Sequence, residues 1–373
     1  MTEPLIAQRK DDHVRLAVEQ QHDHSGRNQF DEVTFVHHAL AGIDREDVSL
    51  ATSFAGISWQ VPLYINAMTG GSVNTGVINR NLAIAARETG VPIATGSMSA
   101  YFKDPSCSGT YSVLREENPD GFILANVNAT ASVENAQRAV DLLKADALQI
   151  HINTVQETVM PEGDRSFASW VPQIGKIAAA VDVPVIVKEV GFGLSRETLR
   201  VVQDLGVRVA DVSGRGGTDF ARIENGRRRL GDYAYLVGWG QSTAACLLDA
   251  QGAGIPVLAS GGVRNPLDVV RALALGASGV GASGGFLRTL QDEGVEALVA
   301  QLTTWLDQLA AMMTMLGART PAELTGCDLL ISGGLRDFCA DRGIETRQFA
   351  RRSSRTDATG AIGATDEPTG STR

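Results

Sequence analysis

From Pro62 onward, short apolar runs alternate with stretches whose apolar residues recur every three to four positions, and the alternation repeats eight times. The runs read as buried strands and the periodic stretches as helices. The first four pairs are 62–67 with 78–88, 92–94 with a poorly marked helix ending near Glu117, 122–125 with 132–144, and 147–150 with 167–181. The rest are 184–188 with 195–205, 207–212 with 242–251, 255–259 with 266–275, and 279–282 with the long stretch 286–316. Val185-Ile186-Val187 is branched throughout, as suits a strand covered on both faces. Ser132 is a natural N-cap, with Val133, Ala136, Val140 and Leu143 on one helical face behind it. Eight such pairs in order predict an α/β protein, a closed (β/α)8 TIM barrel.

Residues 1–60 lack this alternation and are expected to form an N-terminal extension ahead of a barrel spanning 61–350. Residues 351–373 are rich in Ser, Thr, Gly, Arg and Asp without apolar period, so a disordered tail is expected there. The segment 310–316 is apolar nearly all round, which suits either core packing or a subunit interface.

The formal charge of −10 argues against nucleic acid as a partner, so a polyanionic ligand must be met by a local basic cluster. Arg9, Lys10 and His13 offer one, because residues three and four apart share a helical face; the plainer reading is a solvated helix start. Four cysteines without a CxxC pair indicate neither a zinc ribbon nor a disulfide scaffold, and a reducing, cytoplasmic setting is expected. No apolar run approaches a bilayer's thickness, so no membrane partner is expected. The pairs His22/His24 and His37/His38 match no usual metal-ligand spacing and are read as structural.

The densest candidate chemistry lies in 151–165, between the fourth strand and its helix. His151, Asn153, Gln156, Glu157, Glu162 and Asp164 crowd a loop at the end of a barrel where reacting groups collect. A solvated turn is the alternative. Glycine turns stand at the last two strands, at Ser260-Gly261-Gly262-Val263-Arg264 and Gly279-Val280-Gly281-Ala282-Ser283, and the loops after these strands are where such barrels bind phosphate through backbone N–H groups. The other strand ends carry Met68-Thr69-Gly70-Gly71, Gly96-Ser97-Met98-Ser99, Asn126 and Asn128, Lys188-Glu189, and the run from Asp211 to Thr218. This lining of amides, hydroxyls and one lysine suits a planar heteroaromatic ring tethered by a phosphate, with FMN the natural candidate. Lys188 could instead pair structurally with Glu189.

Arg9-Lys10 with His13, Ala67-Met68-Thr69-Gly70-Gly71, Gly96-Ser97-Met98, the run from His151 to Arg165, Val187-Lys188-Glu189-Val190-Gly191, Gly214 to Thr218 and Ser260 to Arg264 together closely resemble the type 2 isopentenyl-diphosphate isomerase family. The resemblance implies an FMN-dependent barrel that interconverts isopentenyl and dimethylallyl diphosphate with reduced flavin and Mg²⁺, NADPH as flavin reductant, and a homo-oligomer, tetramer or octamer. It implies substrate contacts from Arg9, Lys10, His13, Ser97, Met98, Ser99, Asn153 and Gln156, and Mg²⁺ on Glu157. It further implies a flavin lined by Ala67, Met68, Thr69, Ser97, Asn126, Lys188, Ser213 and Thr218, its phosphate held by Gly262, Val263, Arg264, Gly281 and Ala282. Gln156 and His151 are the catalytic candidates, with either the flavin or His151 as the acid. Family members carry a larger polar residue where this chain has Ser99. Two rival readings are a hydroxy-acid oxidase on the same barrel and a non-catalytic phosphate binder. The oxidase needs a histidine near the last strands, and none follows His151.

Overall fold

In the computed structural model, which describes residues 5–22, 28–228 and 230–354, eight parallel strands hydrogen-bond in chain order and the last returns to the first. They are β1 (Leu63–Ile65), β2 (Ile93–Ala94), β3 (Ile123–Asn128), β4 (Ala147–His151), β5 (Val185–Lys188), β6 (Val209–Asp211), β7 (Val257–Ser260) and β8 (Gly279–Ala282). Each is two to six residues long and every strand position is buried except the terminal Asn128 and His151. That burial on both faces explains the unbroken apolar runs. The expected barrel is therefore present, with its helices starting where sequence chemistry says they should. Ser132 caps Val133–Leu143 by accepting from Asn135 N, and Ser195 and Ser242 do the same for Arg196–Asp204 and Thr243–Asp249.

Several details differ from the sequence expectation. The loop after β4 contains a helix, Thr154–Val159, followed by the turn that leads to Trp170–Ala180. The stretch 286–316 is two helices, Gly284–Glu293 and Val295–Leu316, broken at Gly294, whose φ of 91° no helix accommodates. The poorly marked helix after β2 is also two, Ser99–Lys103 and Gly109–Glu117. The arginine-rich insertion holds a capped helix, Phe220–Gly226, with Asp219 accepting from Arg222 N. The tail expected to be disordered from 351 is ordered at its start, where Arg352 donates to the Ala274 carbonyl and Ser353 to the Asp328 carboxylate; from residue 355 on it lies outside the described residues, as does His24.

The extension does three separate jobs. The hairpin Thr52–Phe54 with Ile57–Trp59 closes the N-terminal mouth, where Phe54, Ile57 and Trp59 pack on Tyr64, Leu124, Ile186, Val209 and Leu258. Strand Val33–Phe35 pairs antiparallel with Leu329–Ile331 and ties the two ends of the chain together. The helix Leu5–His22 crosses the opposite, C-terminal mouth and contacts Gly284–Glu293 and Phe220–Gly226. His22 sits 3.4 Å from Asp292 and His38 3.0 Å from Asp328, which fits a structural role for both. Met313 is buried and Met315 half exposed, so the apolar segment 310–316 serves the core on one side and faces outward on the other. Among the described residues, no helix is long and apolar enough to cross a membrane. All four cysteines are free thiols.

Candidate active site

At the C-terminal mouth the strand ends and the N-terminal helix bring together most of the predicted residues. Lys10, on a helix that could have been merely solvated, is 8% exposed, and its Nζ donates to the Ser97 carbonyl at 3.4 Å. Burial, followed by repulsion from Arg9, lowers the Lys10 pKa to about 8. Arg9 lies 3.6 Å from Glu162 and against the Met160 sulfur, so the two cations face the post-β4 segment.

That segment is knit together by its own amides. Asn153 Nδ2 donates to Gln156 Oε1 and to Glu157 Oε1, both at 3.1 Å. Glu157 Oε2 accepts from the Asp164 backbone at 2.8 Å, and the Asp164 carboxylate turns inward to cap Arg165 N and Ser166 N. Gln156 Nε2 reaches across to Glu224 Oε1 at 2.8 Å. Glu224, fully buried in the helix Phe220–Gly226, also lies 3.0 Å from His13 Nε2 and pairs with Arg227, which bridges to Glu162 at 2.8 Å. Burial alone would raise the Glu224 carboxyl, but the bonds from His13, Gln156 and Arg227 hold it down to about 2. Sequence reading passed over Glu224, because it sits in a run dominated by arginines. A lone acid inside that run, on the apolar side of a capped helix, was the available signal.

On the barrel side, Lys188 does not pair with the Glu189 carboxylate. Its Nζ donates to the Glu189 carbonyl at 2.8 Å and to Ser213 Oγ at 3.1 Å, and lies 3.6 Å from Asp211. Glu189 instead takes backbone N–H groups from Val190, Gly191, Phe192 and Gly193 on one oxygen, at 2.5–3.2 Å. Those donors favour its charged form, while burial pushes its pKa up to about 7. Ser213 has φ of 35°, an uncommon strain for a residue with a Cβ, and it is held by its bond from Lys188 and by Ser213 N donating to Asp211.

His151 Nδ1 is 2.7 Å from Asn126 Oδ1. Burial, then the charges of Lys10 and Lys188, lower its pKa to about 3, so the imidazole is neutral. Ser97 Oγ donates to Ser99 Oγ at 3.3 Å, and Met98 beside them is buried. The glycine turns meet closely: a Cβ on Gly261 would stand 2.0 Å from the Gly214 carbonyl oxygen, and one on Gly262 3.0 Å from Gly216. Gly281 answers to packing, since a Cβ there would strike the Tyr64 ring at 2.5 Å. Arg264 is bound by carboxylates on both sides, Asp31 and Asp268, both within 3.0 Å. It thereby ties the extension to the phosphate turn, and Asn28 does likewise by donating to the Gly262 carbonyl at 2.7 Å. Ala67, Met68 and Val263 are partly buried at the same rim, with Ala282 buried beside them and Thr218 at the edge.

The residues fit a bound flavin and a magnesium ion. Thr69, 2% exposed, has a buried hydroxyl with no hydrogen-bond partner in the protein, and Arg9 Nε is likewise buried and unbonded. Such groups are stabilised by a ligand's acceptors. No cluster of three or more His, Cys, Asp or Glu side chains able to hold a metal occurs among the described residues. A single carboxylate at Glu157 suits Mg²⁺, which is held by one or two carboxylates together with substrate phosphates and water.

A parallel barrel with a lysine-ended fifth strand, a glycine turn after the seventh strand and a glycine-rich eighth strand defines the class, and the comparisons agree. The model of the FMN-dependent dehydrogenase family matches residues 115–329. A mandelate oxidase solved with an FMN adduct superposes with a TM-score of 0.60 at 18% identity, covering 86% of this chain and 92% of that one. A flavocytochrome b2 gives 0.61 at 20% identity, over 84% and 78%. At such identities these likenesses speak for the fold alone. Far nearer is the isopentenyl-diphosphate delta-isomerase of Streptomyces sp. (strain CL190), 77% identical over 96% of this chain and 99% of that protein. The same-named proteins of Kitasatospora griseola and Latilactobacillus sakei are 75% and 50% identical, covering 98% and 91% of this chain and 99% and 97% of theirs. This chain belongs to the isopentenyl-diphosphate delta-isomerase family, in its type 2, FMN-dependent branch, and is an enzyme.

Proposed function

We propose that this isomerase interconverts isopentenyl and dimethylallyl diphosphate by a 1,3-proton shift, with reduced FMN and Mg²⁺ bound, and so supplies isoprenoid precursors. The observation that carries the reading is the Gln156–Glu224–His13 cluster, suspended between the buried Lys10, the half-buried Arg9 and the strand ends suited to flavin. NADPH as the external reductant and assembly into a homo-oligomer belong to the same reading.

Arg9 and Lys10 bind the diphosphate, and bound polyanion restores the full charge that burial and repulsion take from Lys10. Glu157 supplies the protein's carboxylate to Mg²⁺. When bound, reduced flavin contributes electron density and protonatable ring nitrogens beside the alkene. Ala67, Met68, Thr69, Ser97, Asn126, Lys188, Ser213 and Thr218 would hold its ring. The turn at Gly262–Arg264 and the end of β8 at Gly281 and Ala282 would hold its phosphate. Gln156 is fixed at both ends of its amide, oxygen toward Asn153 and nitrogen toward Glu224, which makes it a rigid wall for the isoprenyl part. His151, its pKa lowered to about 3 by burial and the nearby lysines, is neutral at physiological pH and so holds no imidazolium proton to give the alkene. Its part is to orient groups through a neutral ring. His13, Ser97, Met98 and Ser99 complete the substrate side.

The test is to reduce bound FMN once without oxygen, remove excess reductant, and follow many turnovers with uptake of solvent deuterium into product. Isomerisation without flavin reoxidation is expected. Reoxidation in step with product would mean net electron transfer to the substrate and overturn the isomerase reading, whereas a hydroxy-acid oxidase, which needs oxidised flavin to accept electrons, would not turn over at all in the reduced, oxygen-free state.

A further inference from the structure

Three buried polar side chains, Gln149, Asn66 and Asp211, have no part in the chemistry above, yet they occupy the barrel interior directly beneath it. Gln149 and Asp211 are fully buried, Asn66 is 1% exposed and Asn126 is 2% exposed. Barrel interiors at such layers are filled mostly by branched apolar side chains, and burying amides there costs stability unless every bond is made. Here the bonds form a directed chain. Asn126 Nδ2 donates to Gln149 Oε1 at 3.1 Å, Gln149 Nε2 to Asn66 Oδ1 at 3.4 Å, and Asn66 Nδ2 to Asp211 Oδ2 at 3.0 Å.

The Asp211 end of the chain is anchored by two groups with no choice of direction. Asp211 only accepts: it takes Tyr64 Oη at 2.7 Å, Ser260 Oγ at 2.9 Å and Ser213 N at 3.1 Å beside Lys188. Asn66 Oδ1 accepts from the Ala67 backbone N–H at 2.7 Å, which forbids the flipped amide. The Asn66 oxygen then calls for the Gln149 nitrogen, the Gln149 oxygen for the Asn126 nitrogen, and Asn126 is left with an oxygen 2.7 Å from His151 Nδ1. An acceptor at that distance needs a donor.

We infer that the Asp211–Asn66–Gln149–Asn126 chain fixes His151 as its Nδ1–H tautomer and leaves the Nε2 lone pair facing the pocket, with Gln149 the positioning residue at its centre. The inference rests on the proposed function only in taking His151 to face the reacting groups; the tautomer itself is a property of the protein. One competitor is present, the Val127 carbonyl, which also interacts with the ring.

The experiment uses FMN-loaded protein labelled with ¹⁵N-histidine, the His151 signals being assigned by their loss in His151→Asn. A pyrrole-type Nδ1 and a pyridine-type Nε2 are expected in the wild type. Gln149→Met keeps size and removes both bonds; it should convert part of the population to Nε2–H and lower kcat by about tenfold with KM little changed, the effect that outer partners of a functional histidine carry. Adding Asn126→Asp, an acceptor that needs no chain, should restore the Nδ1–H signals. A wild-type Nε2–H tautomer overturns the inference, and so does an unchanged tautomer in folded Gln149→Met, which would give the proton to Val127. Should Gln149→Met not fold, the wild-type spectrum decides alone. A correct tautomer without isomerase turnover would instead overturn the proposed function and leave this inference standing.

Discussion

At the N-terminal mouth of the barrel, Trp59 lies edge-on to Phe54 at 5.0 Å and to Phe122 at 5.7 Å, and meets the Tyr64 ring at 5.3 Å; toward the C-terminal mouth, the same strands carry Asn66, Asn126, His151, Lys188 and Asp211 at or near their ends. Both ends are equally dry. One is filled by aromatic surface, whose burial stabilises without directional demands. The other is filled by amides and ions that repay desolvation only when each is bonded to the next. Tyr64 belongs to both, its ring in the apolar cluster and its hydroxyl on Asp211. A single set of strands thus separates stability from chemistry along the barrel axis.

The largest effect should fall at the apolar mouth and spare the chemistry. Trp59→Ala removes the plug against which Gly279 is packed, where even a Cβ on the glycine would come within 2.6 Å of the indole. We expect a loss of about 3–5 kcal/mol in unfolding free energy, the usual cost of deleting a buried large aromatic, with near-normal kcat at temperatures where the variant is folded. Denaturant unfolding alongside steady-state kinetics checks it. A collapse of kcat in folded protein would mean the two mouths are coupled.

The converse variant is Glu224→Gln, which changes the polar mouth without changing its volume. Arg227 keeps its bond to Glu162 but loses its buried charged partner, so the melting temperature should fall by a few degrees without loss of the fold. Gln156 and His13 lose the charged acceptor that orients them, and kcat should fall by about 10²-fold, as for other positioned proton-handling groups. Flavin content and thermal melting, measured with kcat, distinguish this from unfolding. A loss of flavin content or of folded protein in step with kcat would make Glu224 structural.

The sequence revealed the barrel-borne half of this arrangement better than the other. Lys188 at the end of β5 and Asn126 near the end of β3 are found by counting apolar runs, because a parallel barrel places every strand's C-terminal end at one mouth. Glu224 could not be found that way: it meets Gln156 across 68 positions, through a helix inside what reads as an insertion. The plug was hidden for the same reason, since a three-residue hairpin strand leaves too short a period to detect. Gln149 was visible, as a polar residue inside the apolar run Ala147-Leu148-Gln149-Ile150, but its direction of bonding exists only once four strands are closed into a layer.

A smaller effect is expected from Arg9→Ala. Arg9 sits on the extension, 3.6 Å from the partly exposed Glu162, and its removal breaks no buried bond. Diphosphate contacts are made alike in ground and transition states, so KM should rise by about tenfold while kcat changes much less. The salt dependence of kcat/KM should weaken as well, because a steering charge is gone. Kinetics at low and high ionic strength test both, and an unchanged KM would return this helix to the role of a solvated cap.

The mildest prediction concerns pH and singles out Lys10. Its folded pKa is lowered from 10.5 to about 8, first by burial and then by Arg9. In the free enzyme Lys10 therefore loses its proton as pH rises through about 8, and kcat/KM should decline above that value, since kcat/KM reports the ionisations of free enzyme. The limb should be nearly absent from kcat, because bound diphosphate holds the lysine charged. Stability moves the opposite way. A lowered folded pKa means that the unfolded chain binds more protons between about 8 and 10.5, so Lys10 adds stability to the ligand-free protein as pH rises through that window and takes it away as pH falls through about 8. Lys10→Arg, always charged, should shift the kcat/KM limb upward, and Lys10→Met should flatten the stability slope while raising KM severalfold. If the limb near pH 8 persists in Lys10→Arg, another group titrates there, and the buried cation of the polar mouth has been misassigned.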